Sequence, residues 1–435
     1  MTTLKAVRGT RDLLPPETAL WNRIEATARS VFARYNFGEI RTPVFEDTAL
    51  FARGVGEETD IVSKEMYTWE DRARAQSEKT QSLTLRPENT AGVVRAYIEH
   101  QLGETGQLQK LYYIGPQFRR ERPQKGRYRQ FSQIGAEVIG PPSAGSESPL
   151  RDAEVLEMLA TLLEELGISG WKLEINSVGS AADRARYNET LRAALVPVVS
   201  KMCEDCQRRA VTNPLRVLDC KVPADQPIID ALPKIGDSMD EDSKKHFAAV
   251  LTALDAAGVP YTRNHRLVRG LDYYTRTTFE FTHGGLGAQN ALLGGGRYDG
   301  LSEAIGGPSA PGIGFAMGED RLVLTLQALE TAQHEKAAAF IAPLGDPKDE
   351  AALARINAAG LVLARELRCA GLRIELGEGS FRLKKSFEAA DKAARAIVIL
   401  GEDELQSGIL TVKTFSTGTQ TKVPRADLAN HLKAL

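Results

Sequence analysis

The chain has 435 residues, 42% of them hydrophobic and 26% charged, with a formal net charge of −2. This length suggests two or three domains, and the composition fits a soluble globular enzyme rather than a disordered or fibrous protein. The charge excludes a globally basic nucleic-acid binder, but not a local basic loop that holds phosphates. No run of about 18 apolar residues exists to span a bilayer, and the N-terminus lacks an apolar signal core, so a cytoplasmic protein without membrane contact is expected.

In chain order, Thr18 to Tyr35 has helical spacing, with Leu20, Ile24, Ala28 and Val31 on one face. Phe37 to Phe45 reads as a strand interrupted by Pro43, which confines it to an edge or a bulge. Gln81 to Leu85 reads as a strand leading into a helix from Ala91 to His100. Residues 111 to 139 read as antiparallel strands around a loop in which positions 119 to 129 hold six Lys or Arg and one Glu. Asp152 to Leu166 is a strong amphipathic helix with Asp152 as its expected cap. From about 172 to 262, helical stretches are broken by Pro197, Pro214, Pro223, Pro227 and Pro233, and an insertion at about 180–255 is expected. After a helix to about 334, strands at 337–344, 372–376 and 396–400 alternate with helices at 348–370 and 381–394. That alternation indicates a C-terminal α/β domain over 335–435.

Glycine-rich strings mark a candidate site. They are Leu267-Val-Arg-Gly-Leu-Asp-Tyr-Tyr-Thr-Arg276, Gly294-Gly-Gly-Arg-Tyr-Asp-Gly-Leu301 and Gly312-Ile-Gly-Phe-Ala-Met-Gly-Glu-Asp-Arg321. Glycine lets another group come close to the backbone, and each string carries an arginine able to grip phosphate, so one polar pocket is expected. Phe131, Gln133 and Glu137 sit at even spacing on the strand after the basic loop and share one face. Cys203-Glu-Asp-Cys206 and Cys220 suggest a zinc site, but His246 and His265 stand at no familiar spacing as a fourth ligand. Reduced structural thiols and no metal are therefore expected, with Cys369, in an apolar helical stretch, expected in the core.

Phe118-Arg-Arg-Glu121 and the following loop resemble motif 2 of the class II aminoacyl-tRNA synthetases, and Gly312 to Arg321 resembles motif 3. The Leu267 and Gly294 strings, with Val7-Arg-Gly-Thr-Arg-Asp-Leu-Leu-Pro15, resemble the histidyl-tRNA synthetase family over essentially the whole chain. The resemblance implies an α+β catalytic domain on an antiparallel sheet over 1–325, the class II synthetase fold. It further implies a helical insertion domain, a C-terminal anticodon-binding α/β domain and a homodimer built on the Phe37–Phe45 segment. The implied reaction joins L-histidine to histidine tRNA through a histidyl-adenylate, with ATP and Mg²⁺.

By that resemblance Arg119, Arg269 and Gln133 are catalytic. Arg119, Glu121, Phe131 and Arg321 hold ATP, with Phe131 stacked on adenine. Glu88, Asn89, Thr90, Arg119, Gln133, Glu137, Arg269, Tyr273, Tyr274 and Tyr298 hold histidine. Glu137 and Tyr274 are the pair expected at the imidazole nitrogens, and Gln124, Lys125 and Arg127 meet tRNA. Asn89 stands where glycine is common, and asparagine tolerates left-handed backbone better than most residues. A reading from another class is a catalytically inactive relative that regulates the first enzyme of histidine biosynthesis. Such proteins usually lack the anticodon domain and degrade the arginine signatures, whereas this chain retains Arg119, Arg269 and Arg321.

Overall fold

A computed structural model describes residues 3–57, 59–71, 80–124, 126–269, 271–286, 290–329 and 336–435. The chain divides into two compact units, Met1–Thr331 and Ala332–Leu435. Among the described residues no helix is long and apolar enough to cross a membrane.

The first unit contains strands β1 (Gly38–Glu39), β2 (Phe45–Asp47), β3 (Tyr67–Asp71), β4 (Gln81–Leu85), β5 (Gln109–Phe118) and β6 (Gln130–Ile139). It continues with β7 (Trp171–Ser177), β8 (Thr262–Arg263), β9 (Thr275–His283), β10 (Ala291–Arg297) and β11 (Gly312–Gly318). Its helices are α1 (Glu17–Arg34), α2 (Thr48–Val55), α3 (Thr90–Glu99), α4 (Pro149–Glu165) and α5 (Ala181–Leu195), then α6 (Glu204–Thr212), α7 (Gln226–Asp230), α8 (Glu241–Ala257), α9 (Leu301–Ala304) and α10 (Glu319–Leu329).

Eight strands form the main sheet in the order β1-β5-β6-β11-β10-β9-β7-β8. From β5 to β7 every pairing is antiparallel, and the two-residue edge strands β1 and β8 pair in parallel. The period-two alternation of strands gives the sheet two different faces. Ile134, Ala136, Val138, Ile313, Phe315, Met317, Phe279 and Phe281 point into the core. There they meet Ile24 and Phe32 of α1, Leu159 and Leu163 of α4, Val250 and Leu254 of α8, and Leu322 and Leu326 of α10. Burying each such side chain stabilises the fold by about 1.5–3 kcal/mol, so this face is held rigidly. The opposite face carries Gln133, Glu137, Gly314, Ala316, Gly294 and Glu280, and it floors the site.

Several local expectations change. The expected strand Phe37–Phe45 splits at Pro43: Gly38–Glu39 joins β5, and Phe45–Asp47 joins a separate three-stranded sheet, β2-β4-β3. Ser148, not Asp152, caps α4, accepting the Leu150 N–H at 3.3 Å. Asp152 lies one turn inside the helix, fully buried as the partner of Arg297 at 2.5 Å. Overlapping the expected insertion and beginning just before it, a separate apolar cluster runs from Val178 to Ile235. The last helix of that stretch, α8, packs into the main core instead.

The second unit is a five-stranded sheet ordered β13-β12-β14-β15-β16. Its strands are β12 (Ala337–Pro343), β13 (Ile374–Leu376), β14 (Ala394–Leu400), β15 (Ile409–Thr414) and β16 (Gln420–Pro424). The first three pair in parallel and the last two antiparallel, as a mixed sheet. Helices α11 (Glu350–Cys369), α12 (Leu383–Ala393), α13 (Glu402–Ser407) and α14 (Leu428–Lys433) complete it. Ala339 and Ile341 of β12 pack against α11 and α14, while Phe340 and Ala342 pack toward Ala390 of α12. Cys369, expected in the core, is exposed at the end of α11, because the apolar face of that helix is set by Ile356, Leu363 and Leu367.

Candidate active site

A cavity of about 310 Å³ opens on the bare face of the main sheet. Its floor exists because the glycines leave room. A Cβ on Gly294 would lie 2.5 Å from the Arg269 guanidinium, and one on Gly296 would lie 2.8 Å from the Tyr274 ring. One on Gly312 would meet the Tyr298 ring at 2.5 Å, and one on Gly314 would meet Glu137 Oε2 at 1.6 Å. The glycine strings are therefore seats for side chains from neighbouring elements, a packing role before a catalytic one.

Arg119, Glu121, Arg127, Phe131, Gln133, Arg269, Tyr273, Tyr274, Arg321, Glu88 and Thr90 all line the cavity. The Arg119 guanidinium lies 5.3 Å from the centre of the Phe131 ring, and its Nε donates to the Pro87 carbonyl at 2.9 Å. Arg127 pairs with Glu121 at 3.2 Å. Arg269 is ion-paired with Glu280. Burial weakens the charged form of Arg269, but Glu280 more than offsets this and holds it protonated. Arg321 Nη1 donates to the Ala291 carbonyl at 2.6 Å, and burial lowers its pKa. Three cations thus converge on one cavity, and anions are what such a site attracts.

At the other end, Glu88 accepts the backbone N–H groups of Thr90 and Ala91 at 2.8 and 3.0 Å, at the start of α3. Its burial raises its pKa. Gln133 Oε1 is buried without a hydrogen-bond partner, an acceptor held ready for a ligand donor. The Tyr273 ring lies tilted, 4.7 Å from that of Tyr274, and edge to face, 6.0 Å from that of Tyr298.

Four expected residues stand off the cavity wall. Glu137 is fully buried behind it, accepting from Thr90 Oγ1 at 2.8 Å and Tyr298 Oη at 2.7 Å. Burial pushes the Glu137 carboxyl up to about 8. Tyr298 is likewise buried against Gly312. Asn89 accepts from Thr42 Oγ1 at 2.7 Å, and its φ of −120° is ordinary, so no left-handed backbone is needed there. Gln124 forms an isolated bridge with Arg127 on the exposed loop, and Lys125 lies outside the described residues.

One arginine expected in the pocket lies elsewhere. Arg297 is wholly buried between Asp152 and Asp299, which keep it charged. One residue absent from the sequence reading lines the cavity, and another, quoted there without a role, braces it. Glu280 faces the cavity beside Arg269, as the alternation of β9 with buried Phe279 and Phe281 would have signalled. Arg11 holds Asp320 at 2.9 Å and lies over Tyr128, tying the N-terminal string to the site.

A mainly antiparallel sheet backed by helices, with arginines from a strand–loop–strand hairpin and a final strand–helix unit meeting over its open face, is the class II aminoacyl-tRNA synthetase architecture. The family model described as histidyl-tRNA synthetase matches residues 9–322, and that described as anticodon binding domain matches residues 338–435. Histidine–tRNA ligase from Koribacter versatilis is 71% identical over 431 residues, 99% of this chain and 96% of the relative. That from Solibacter usitatus is 55% identical over 433 residues, 99% of both. The crystal structure of apo histidyl-tRNA synthetase from S. aureus is 37% identical, with a TM-score of 0.77 over 99% of this chain and 100% of that one. The chain belongs to the histidyl-tRNA synthetase family.

Proposed function

We propose that this chain ligates L-histidine to histidine tRNA at the expense of ATP. In the first step a carboxylate oxygen of histidine attacks the α-phosphorus of ATP and pyrophosphate leaves, giving histidyl-adenylate. In the second a ribose hydroxyl at the tRNA 3′ end attacks the acyl carbon and AMP leaves. The observation that carries this reading is the convergence of Arg119, Arg269 and Arg321 over a floor of glycines, next to a buried polar end.

Two anions must meet in the first step, so fixed cations around the reacting phosphorus lower the barrier. We assign Arg119 and Arg269 to the α-phosphate and the substrate carboxylate, and Arg321 to the γ-phosphate. Arginine suits this because its planar fork makes paired hydrogen bonds and stays charged. Phe131, already beside the Arg119 guanidinium, is the adenine platform, and Glu121 meets the adenine edge. Mg²⁺ would neutralise the outer phosphates, and the Glu280 carboxylate on the cavity wall is a hard oxygen donor of the kind it takes.

Glu88, Thr90 and Gln133 take the histidine α-ammonium, and Tyr273 and Tyr274 face the imidazole. Glu137, behind the wall, acts as a positioning residue that fixes the Thr90 and Tyr298 hydroxyls. A site built to pair with polar ring atoms rejects amino acids that lack them. The basic loop with Gln124, Lys125 and Arg127 receives the tRNA acceptor end, and the second unit holds the anticodon. A substrate phosphate oxygen takes the proton of the attacking hydroxyl. We place the protein in the cytoplasm as a homodimer, with residues 1–325 catalytic, an insertion within 180–255 and 335–435 as the anticodon module.

Charging a set of tRNA transcripts with labelled amino acids tests the proposal. The expected result is histidine on histidine tRNA alone. Charging of another tRNA, or of none by active protein, overturns it.

A further inference from the structure

The zinc reading lacked a fourth ligand, and the fold supplies one. Cys203, Cys206, Cys220 and Asp225 bring their ligand atoms within 4.8 Å of one another. His246, considered for that role, lies instead on α8, 3.7 Å from Asp152.

The geometry fits a tetrahedral ion. Zinc–sulfur and zinc–oxygen bonds of about 2.3 and 2.0–2.2 Å require sulfur–sulfur edges of about 3.8 Å and sulfur–oxygen edges of about 3.5 Å. Cys203 Sγ lies 3.9 Å from Cys220 Sγ, and Cys220 Sγ lies 3.3 Å from Asp225 Oδ2. The sulfur–sulfur distance is also far longer than a disulfide bond of about 2.05 Å.

The surroundings favour a cation. Cys206, Cys220 and Asp225 are buried, at 0%, 4% and 1% exposure. A buried carboxylate is costly unless a charge compensates it. Asp225 meets neutral donors, the Cys203 backbone N–H at 3.2 Å and the Cys220 thiol. Cys203 stands at the N-cap position of α6 and Cys206 lies in its first turn, three residues on and so on the same side of the helix. The Val222 backbone N–H points at Cys220 Sγ at 3.4 Å.

The module also needs a staple. Between Val199 and Ser238 its longest helix is the nine-residue α6, and the remainder is short helical turns. The module contributes eight residues, Met202, Cys206, Val217, Leu218, Cys220, Ile229, Leu232 and Ile235, to a buried apolar cluster, and two of them are these cysteines. Small cores of this kind are commonly secured by a metal or by disulfides.

We propose that Cys203, Cys206, Cys220 and Asp225 bind one structural zinc ion that pins the helical module between residues 199 and 238. On binding, the three thiols lose their protons to solvent and the ion loses its waters, so loading releases about three protons per ion. All four positions are protein ligands, which leaves none for a reacting water and makes the site structural.

The test uses the full-length chain, stripped of metal under reducing conditions and titrated with Zn²⁺ or Co²⁺ alone. The expected results are one ion per chain, a thiolate-to-cobalt charge-transfer band with tetrahedral d–d absorption, and zinc protection of every thiol except exposed Cys369. Cys369→Ser should leave the cobalt spectrum unchanged. Asp225→Asn should weaken zinc binding about 10- to 100-fold, and Asp225→His should restore a tetrahedral spectrum. No charge-transfer band together with unchanged thiol reactivity in zinc would overturn the proposal. So would a disulfide among the three cysteines in freshly purified protein, or Asp225→Asn binding cobalt as the parent does.

Discussion

Gly294→Ala separates catalysis from folding. A Cβ there would stand 2.5 Å from Cζ, Nη1 and Nη2 of Arg269. Non-bonded carbon contacts sit near about 3.5 Å, so the guanidinium must retreat by about 1 Å. It is the far end of a flexible side chain, and the sheet need not move. The retreat pulls Arg269 away from Glu280 and from the reacting phosphate. A displacement of about 1 Å in a positioned group costs on the order of 100-fold in rate, or about 2.7 kcal/mol. Histidine-dependent pyrophosphate exchange should therefore lose about 100-fold in kcat/KM, while the melting temperature shifts by only about 2–4 °C or less, the range that 1 kcal/mol gives a domain of about 150–250 residues. Gly236→Ala is the control, since its Cβ would meet nothing within 4 Å and Gly236 does not line the cavity. It should stay within about three-fold of the parent, which is under 1 kcal/mol. Equal activity in the two variants, or loss in Gly294→Ala that tracks unfolding, would refute the reasoning.

Other outcomes follow from the same geometry. Gly314→Ala places a methyl 1.6 Å from Glu137 Oε2 and 2.8 Å from the Ala136 carbonyl. Backbone cannot yield there cheaply, so chemical denaturation should show a loss of about 3 kcal/mol or more. Arg297→Met leaves Asp152 buried without its cation and should cost about 3–5 kcal/mol, yet folded protein should still form adenylate, because Arg297 does not line the cavity. Glu137, at about 8 in the fold against 4.5 unfolded, binds more protons when folded between those values. Its contribution to stability therefore falls as pH rises from about 4.5 to about 8. Melting curves of Glu137→Gln should lose that part of the pH dependence, and a parallel decline in the variant would contradict the assignment. A truncation ending after α10 should keep adenylate formation and raise the KM for tRNA, since tethering at a second site raises the local concentration of the acceptor end; an unchanged KM would show that the second unit does not hold tRNA.

What was legible in the sequence depended on range. The alternation of β6 put Phe131, Gln133 and Glu137 on one face, and that face is the cavity side of the sheet. The glycine strings announced close approach, but their spacing did not say what approaches. Glu137 over Gly314 joins strands far apart in the chain, β6 and β11. For the same reason Arg297 read as a pocket cation: its partner Asp152 lies 145 residues earlier and looked like a helix cap. Glu137 was placed on the correct face, but only the structure shows Thr90 and Tyr298 occupying its oxygens. Asp225 escaped because a carboxylate five residues past a cysteine carries no ligand spacing of its own.

The central claim is most directly tested by ATP–pyrophosphate exchange run with each of the twenty protein amino acids in turn, on the purified full-length chain with Mg²⁺. Exchange with histidine alone, abolished in Arg269→Ala, is the result expected. Absence of exchange with histidine, or equal exchange with another amino acid, would contradict the account.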